Sequence, residues 1–166
     1  RCEPPPRRLA PETLLSAVVD GYRADPAVDI TVDVRADCAV CAGGELEHAV
    51  AELVENAVVH AGAEPSRIRL ALRRDGEWVE LDVADDGPGI GDAEAATATR
   101  AEESPLEHGS GLGLWLVNWI VTRYGGSFAV RSLDAAGGTL ATVRLPAIDA
   151  DTSVDDVARR PTTLFW

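Results

Sequence analysis

Three short stretches hold residue types that could do chemistry together. The first is Glu52-Leu-Val-Glu-Asn56-Ala-Val-Val-His60, in which Glu52, Asn56 and His60 stand four apart. On a helix that spacing places them on one face. A Glu one turn before an Asn can serve both a water or hydroxyl and a metal ion; a solvated face is the plain alternative. The second is Asp85-Asp86-Gly87-Pro88-Gly89-Ile90. A carboxylate at a strand end beside glycines can read a base edge or hold a metal, and an ordinary turn is its alternative. The third runs His108-Gly109-Ser110-Gly111-Leu112-Gly113-Leu114 and enters an apolar, helical stretch. A glycine-rich helix entry turns free N–H groups and the helix dipole on one spot, which favours a phosphate.

Two named patterns are excluded. A Walker loop needs Lys and then Ser or Thr after its last Gly. Here Leu114 and Trp115 stand there, and the chain has no Lys. The dinucleotide fingerprint needs a strand before its glycines, whereas Glu102-Glu-Ser-Pro-Leu-Glu-His108 reads as loop.

The elements that must position these residues follow from periodicity. Residues 1–11 carry Pro4, Pro5, Pro6 and Pro11 and read as a linker. A helix is expected over Pro11–Ala24, then a strand over Asp29–Val34 and a short one over Ala39–Ala42. Leu46, Ala49, Val50, Leu53, Val54, Ala57 and Val58 form an apolar stripe that predicts a helix over Glu45–Ala61, capped by Gly62. Ser66–Arg73 and Trp78–Val83 alternate around Asp75-Gly76 and should pair antiparallel. Gly91–Glu107 reads as a long loop with one weak helical turn, a lid candidate. The helix after Gly113 should stop at Gly125-Gly126. Strands are expected over Ser127–Ser132 and Thr139–Leu145, the latter closed by Pro146. The domain is therefore placed at 12–147, with 148–166 a disordered tail.

Composition narrows the classes of partner. With 166 residues, 46% of them hydrophobic, the chain can bury one core. No stretch approaches the ~20 apolar residues of a membrane span, so membrane contact by this domain is not expected. The first residue is Arg and Met is absent, which reads as a piece of something longer. Twenty-eight acids against 15 bases, all Arg, give a net charge of −13. A polyanion such as nucleic acid would be repelled. Cys2, Cys38 and Cys41 make an odd count, and the C-x-x-C lacks a second pair of zinc ligands. That suits a reducing, cytoplasmic compartment.

In their order, the three stretches resemble the N, G1 and G2 boxes of the catalytic and ATP-binding domain of sensor histidine kinases, within the gyrase, Hsp90, histidine kinase and MutL ATPase group. The resemblance covers about residues 12–146. It implies a Bergerat-type fold: a two-layer α/β sandwich, its mixed, mostly antiparallel sheet covered by helices on one face. It also implies Mg·ATP as cofactor. By position, Asn56 looks like the Mg²⁺ ligand and Glu52 like the acid that orients or deprotonates the attacking group. His60 occupies the place of a ring against adenine, and Asp85 that of the adenine-amino acceptor. Gly87, Gly89 and Ile90 fall where the backbone passes the nucleotide. Gly109, Ser110, Gly111, Leu112 and Gly113 fall where the lid and phosphate amides lie.

The pattern departs from the family at Val59, where a Lys or Arg is common; Arg100 is the expected substitute. The Phe-bearing lid motif is missing, since only Phe128 and Phe165 occur. The partners implied are an upstream dimerisation domain with the phospho-accepting His, which residues 1–11 cannot supply, and a response regulator. The parent protein could be membrane-anchored. Two rivals stay open on the sequence: a stand-alone protein-serine kinase of the same fold, and a non-catalytic nucleotide-binding module.

The charge excess reads as adaptation to a salt-rich, halophilic cytoplasm, against GC-driven codon usage. Self-repulsion is screened over about 3 Å at molar salt and about 30 Å at 0.01 M. The melting temperature is therefore expected to rise from low salt to molar KCl. A flat or falling value assigns the composition to codon usage.

Overall fold

The structure is a computed structural model and describes residues 6–35, 39–62, 64–91, 95–96, 98–99, 111–133, 137–149 and 151. Its elements are β1 (Arg7–Leu9), α1 (Pro11–Asp20), β2 (Val28–Arg35), β3 (Ala39–Ala42), α2 (Glu45–His60), β4 (Ser66–Asp75), β5 (Trp78–Asp85), α3 (Gly111–Arg123), β6 (Ser127–Ser132) and β7 (Thr139–Ile148). The seven strands form one sheet in the order β1-β3-β7-β5-β4-β2, with β6 paired to β7. Only β2–β4 is parallel; the other pairs are antiparallel. The expected fold, a mixed but mostly antiparallel sheet with helices on one face, is the one observed.

Alternation decides the two faces of the sheet. On β4, Ile68, Leu70 and Leu72 are buried while Arg67, Arg69 and Arg73 are exposed. The apolar stripe of α2 (Leu46, Ala49, Val50, Leu53, Val54, Ala57) meets this face, and α3 adds Leu114, Val117, Ile120 and Val121. Helix α3 runs antiparallel to α2: Gly113 lies beside Glu52, and the Tyr124 hydroxyl donates to Glu45 Oε2 at 2.6 Å. Burial and that carboxylate push the Tyr124 hydroxyl up to about 12. The expected stop of α3 is present. Gly125 takes φ +76°, Gly126 N–H bonds Val121 O at 3.0 Å and Gly125 N–H bonds Thr122 O at 3.0 Å, the two bonds of a Schellman cap.

Four expectations are corrected. Arg7–Leu9 is not linker but a strand paired with Val40–Ala42. The first helix ends at Asp20 rather than Ala24. Gly62 does not cap α2. The helix ends at His60 and Ala61 is extended; a Cβ on Gly62 would lie 2.9 Å from Asp86 O, so close approach explains the glycine. Finally, β7 continues through Pro146 to Ile148. Ala147 N–H donates to Glu77 O on the β5 side at 2.8 Å. Alternation turns position 146 the other way, where β6 pairing has ended at Arg144 and β3 pairing begins at Ala147. No neighbour there requires the N–H that proline lacks.

The helix-free face is polar. Arg73 pairs with Glu80, and Asp82 lies 3.6 Å from Arg73. Arg144 reaches Glu80 at 3.3 Å and Asp75 at 3.2 Å and stacks over Trp78 at 5.3 Å. Central strand β5 is thus covered on both faces, by helices on one and by paired charges on the other. No helix of the described residues is long and apolar enough to cross a membrane.

Leu70 is wholly buried beneath the helices. Leu70→Ala should cost about 2–5 kcal/mol in urea unfolding, and Arg35→Ala, on the exposed rim, less than about 0.5 kcal/mol. Equal losses would contradict the assignment of the two faces.

Candidate functional site

Helix α2 is the spine of the site. Its residues Glu52, Asn56 and His60 follow at four-residue steps, about 6 Å each along the axis. At the early end, a Cβ on Gly113 would lie 2.9 Å from Glu52 Oε2. Glu52 is therefore beside the start of α3, and His48 Nε2 stands 3.6 Å from its other oxygen. At the late end, a Cβ on Gly87 would collide with the His60 carbonyl. The turn after β5 is therefore packed against the last residue of α2. Asn56 is half-buried midway between, and His60 itself is exposed.

Asp85 closes β5 and is buried, with 8% exposure. Its Oδ1 accepts N–H bonds from Gly87 at 2.8 Å and Thr139 at 3.3 Å. Both donors use one oxygen. Among the described residues Oδ2 has no recorded partner, which leaves an acceptor for an incoming donor. Burial pushes the Asp85 carboxyl above its ordinary value; the Gly87 and Thr139 amides oppose that, Asp86 adds to it and His60 offsets a little. Glycines make this crowding possible. A Cβ on Gly138, at φ +108°, would strike Asp85 O, and one on Gly87 would lie 2.9 Å from Asp85 Oδ1. Gly89, at φ +88°, leaves room for Ser132 Oγ. That hydroxyl accepts from Ile90 N–H at 2.9 Å and donates to Ile90 O at 2.7 Å, fixing the turn.

The structure thus brings together Glu52, Asn56, His60, Asp85, Gly87, Gly89, Ile90 and Gly113. Gly111 opens α3, so the helix begins two residues before the expected end of the glycine loop, and Leu112 lies in its first turn. Arg100, Gly109 and Ser110 lie outside the described residues, as do His108 and most of the expected lid. Of the lid stretch, Ala95, Ala96 and Ala98 are helical. Ala98 is buried, and Asn118 donates to Thr99 O at 3.3 Å. Thr139, Gly138 and Ser132, none of them among the residues expected at the site, also stand against Asp85 and the turn after it. The only signal was the Gly-Gly-Thr run itself. Among the described residues no three His, Cys, Asp or Glu are grouped to hold a metal.

A sandwich with a buried carboxylate in a glycine cradle, joined by one helix to a second helix's glycine start, is a nucleotide-binding architecture. Comparison with known proteins gives the family. A family profile described as histidine kinase-, DNA gyrase B- and HSP90-like ATPase matches residues 42–149. The chain belongs to this family, and it is an ATP-binding catalytic domain of the sensor histidine kinase type. It is 37% identical over 105 residues to the C4-dicarboxylate transport sensor protein DctS of Rhodobacter capsulatus, covering 61% of this chain and 16% of DctS. The adaptive-response sensory kinase SasA of a Synechococcus species is 31% identical over 144 residues, covering 83% of this chain and 36% of SasA. The solved ATP-binding domain of PrrB from Mycobacterium tuberculosis superposes with a TM-score of 0.71 at 24% identity, covering 88% of this chain and all of that one. The chain spans about a sixth to a third of these two curated relatives.

A carboxyl raised by burial is unfavourable when ionised. Stability from Asp85 is present below its ordinary pKa and falls as pH rises through the window up to the raised value. Asp85→Asn should therefore raise the melting temperature of the nucleotide-free protein at neutral pH and abolish ADP binding by calorimetry. Unchanged ADP binding would remove Asp85 from the site.

Proposed function

We propose that this domain passes the γ-phosphoryl group of ATP to a histidine on an upstream dimerisation domain of its parent protein, with a response regulator as the next acceptor. The observation that carries the reading is the span of α2. One helix joins a base-reading carboxylate at Asp85 to an anion-binding helix start at Gly113. About 12 Å separates Glu52 from His60 along its axis.

In this reading Asp85 Oδ2 accepts the adenine amino group, and the His60 ring lies on the base. Gly87, Gly89 and Ile90 keep the backbone close to it. The amides of Gly109, Ser110, Gly111, Leu112 and Gly113 face the phosphates, and Arg100 supplies the cation that Val59 does not. Asn56 offers its amide oxygen to Mg²⁺. A donor set of one neutral oxygen fits a hard ion held otherwise by phosphates and water. Such an ion supplies neutralisation of phosphate charge. Glu52 orients the attacking imidazole or takes its proton, and His48 steadies Glu52. The setting is cytoplasmic, with neither nucleic acid nor membrane touching this domain; the parent reaches the membrane, if at all, through other segments.

Incubation of the purified chain with γ-labelled ATP and Mg²⁺ tests the reading. The chain should bind ATP and take no label; acid-labile, base-stable label should appear on dimerisation helices added as a separate polypeptide. Label on His48, His60 or His108 would sink it. Asn56→Ala should weaken Mg²⁺-dependent ATP binding and spare metal-free ADP binding. Glu52→Ala should slow transfer by roughly 10²–10⁴-fold with binding retained.

A further inference from the structure

The open face of the sheet has two halves of different charge. Toward the β4–β5 hairpin, Arg73 and Arg144 are paired with Glu80, Asp82 and Asp75. Toward Asp85 lie Arg67 and Arg69 of β4 and Arg131 of β6, all exposed. Among the described residues Arg67 and Arg69 make no hydrogen bond or ion pair, although Asp29 faces Arg67 across the β2–β4 register. Arg131 reaches only the backbone of Ser132, at 3.5 Å. Three exposed arginines elsewhere find carboxylates: Arg23 with Asp20, Arg35 with Asp33, Arg74 with Asp149. In a chain of 28 acids and 15 bases, three clustered cations without one run against composition.

Their spacing is set by the sheet. The register runs Arg69–Ala84–Leu140–Arg131 across β4, β5, β7 and β6, about 14 Å in three strand steps. Arg67 lies about 7 Å from Arg69 along β4. The floor between the cations is Ala84 and Leu140, both half-buried and apolar. We infer that this half-face is a docking surface for an acidic, partly apolar segment of a partner polypeptide, laid extended across the sheet. An extended chain repeats its side-chain direction about every 7 Å, so along the line from Arg69 to Arg131 carboxylates at positions i and i+4 meet the two guanidiniums, residue i+2 settles on the Ala84–Leu140 floor, and Arg67 flanks the first carboxylate. Guanidinium forks suit carboxylates. The net charge of −13 disfavours the broad polyanionic surface of a nucleic acid or anionic membrane. Nucleotide binding plays no part in this inference, which stands or falls apart from the proposed function.

The probe is a fluorescein-labelled peptide repeating Glu-Ser-Leu-Ser, which in extended form puts Glu and Leu in turn on one face, followed by anisotropy on the whole chain. Binding is expected at about 0.01 M salt and should weaken markedly at about 0.15 M. Arg67→Glu/Arg69→Glu/Arg131→Glu should lose at least about tenfold in affinity, the combined scale of three exposed ion pairs. Arg35→Glu, on the paired half of the face, should change little. Should the reversed-charge variant fail to fold by circular dichroism, the Gln triple variant, whose neutral amides leave the sheet intact, decides in its place. Absence of peptide binding to the wild type, or equal binding by the triple variants, would overturn the inference. So would tighter binding of single-stranded DNA or phosphatidylserine vesicles that the same variants abolish.

Discussion

The site depends on keeping one carboxylate buried while, among the described residues, only one of its oxygens is engaged. Asp85 sits at the end of a strand covered on both faces, and its desolvation must be met by donors that do not occupy both oxygens. The chain meets it with two backbone amides, Gly87 from the following turn and Thr139 from the opening of β7. Backbone donors come close only where side chains are absent. That is why glycines crowd around this one group: Gly62 against Asp86, Gly87 against His60, Gly138 against Asp85 itself. The β5–β7 register, with Ala84 opposite Leu140, delivers Thr139 to its place. A slip of one residue would turn the whole of β7 inside out and strip the carboxylate of a donor.

What could be read from the sequence was what repeats locally. The α2 stripe, the β4 alternation and the paired glycines after α3 announce themselves within a few residues, and they place Glu52, Asn56 and His60 on one face. The order of the three glycine-and-acid stretches carried the family. Other features depend on distant partners. Strand β1 is three residues among prolines and exists because β3 offers it an edge. Pro146 stays in a strand because two neighbours fall short of it. Thr139 joins the site across 54 residues of chain, and the Gly-Gly-Thr run in which it stands says nothing of that distant partner. Gly62 looked like a helix cap since glycine after a helix usually is one; here crowding by Asp86 is the reason.

The two faces of the sheet answer different constraints. Under the helices, burial of Leu70, Ile68, Val54 and Val117 supplies the hydrophobic drive. On the open face Glu80 has only 9% exposure and is held from both sides by Arg73 and Arg144. Removing either cation would leave a nearly buried charge half-compensated, which costs more than the pair contributes. With Lys absent, every such bridge is made by a planar fork able to serve two carboxylates, as Arg144 does with Asp75 and Glu80.

The entry and exit of the domain are stitched to each other. Arg8 in β1 donates to the Asp149 carbonyl at 2.6 Å, and Arg74 holds the same residue's carboxylate at 2.8 Å. Strand β1 hangs on β3, and only Gly43-Gly44 separates β3 from α2. In mechanical terms, tension on the chain ahead of Arg7 has two outlets. Part is shunted to the last strand through the Arg8–Asp149 clasp. The rest travels one strand inward and arrives at the helix that carries Glu52 and Asn56. The corner formed by β1, β3 and the end of β7 behaves as an anchor plate, and α2 is the beam bolted to it.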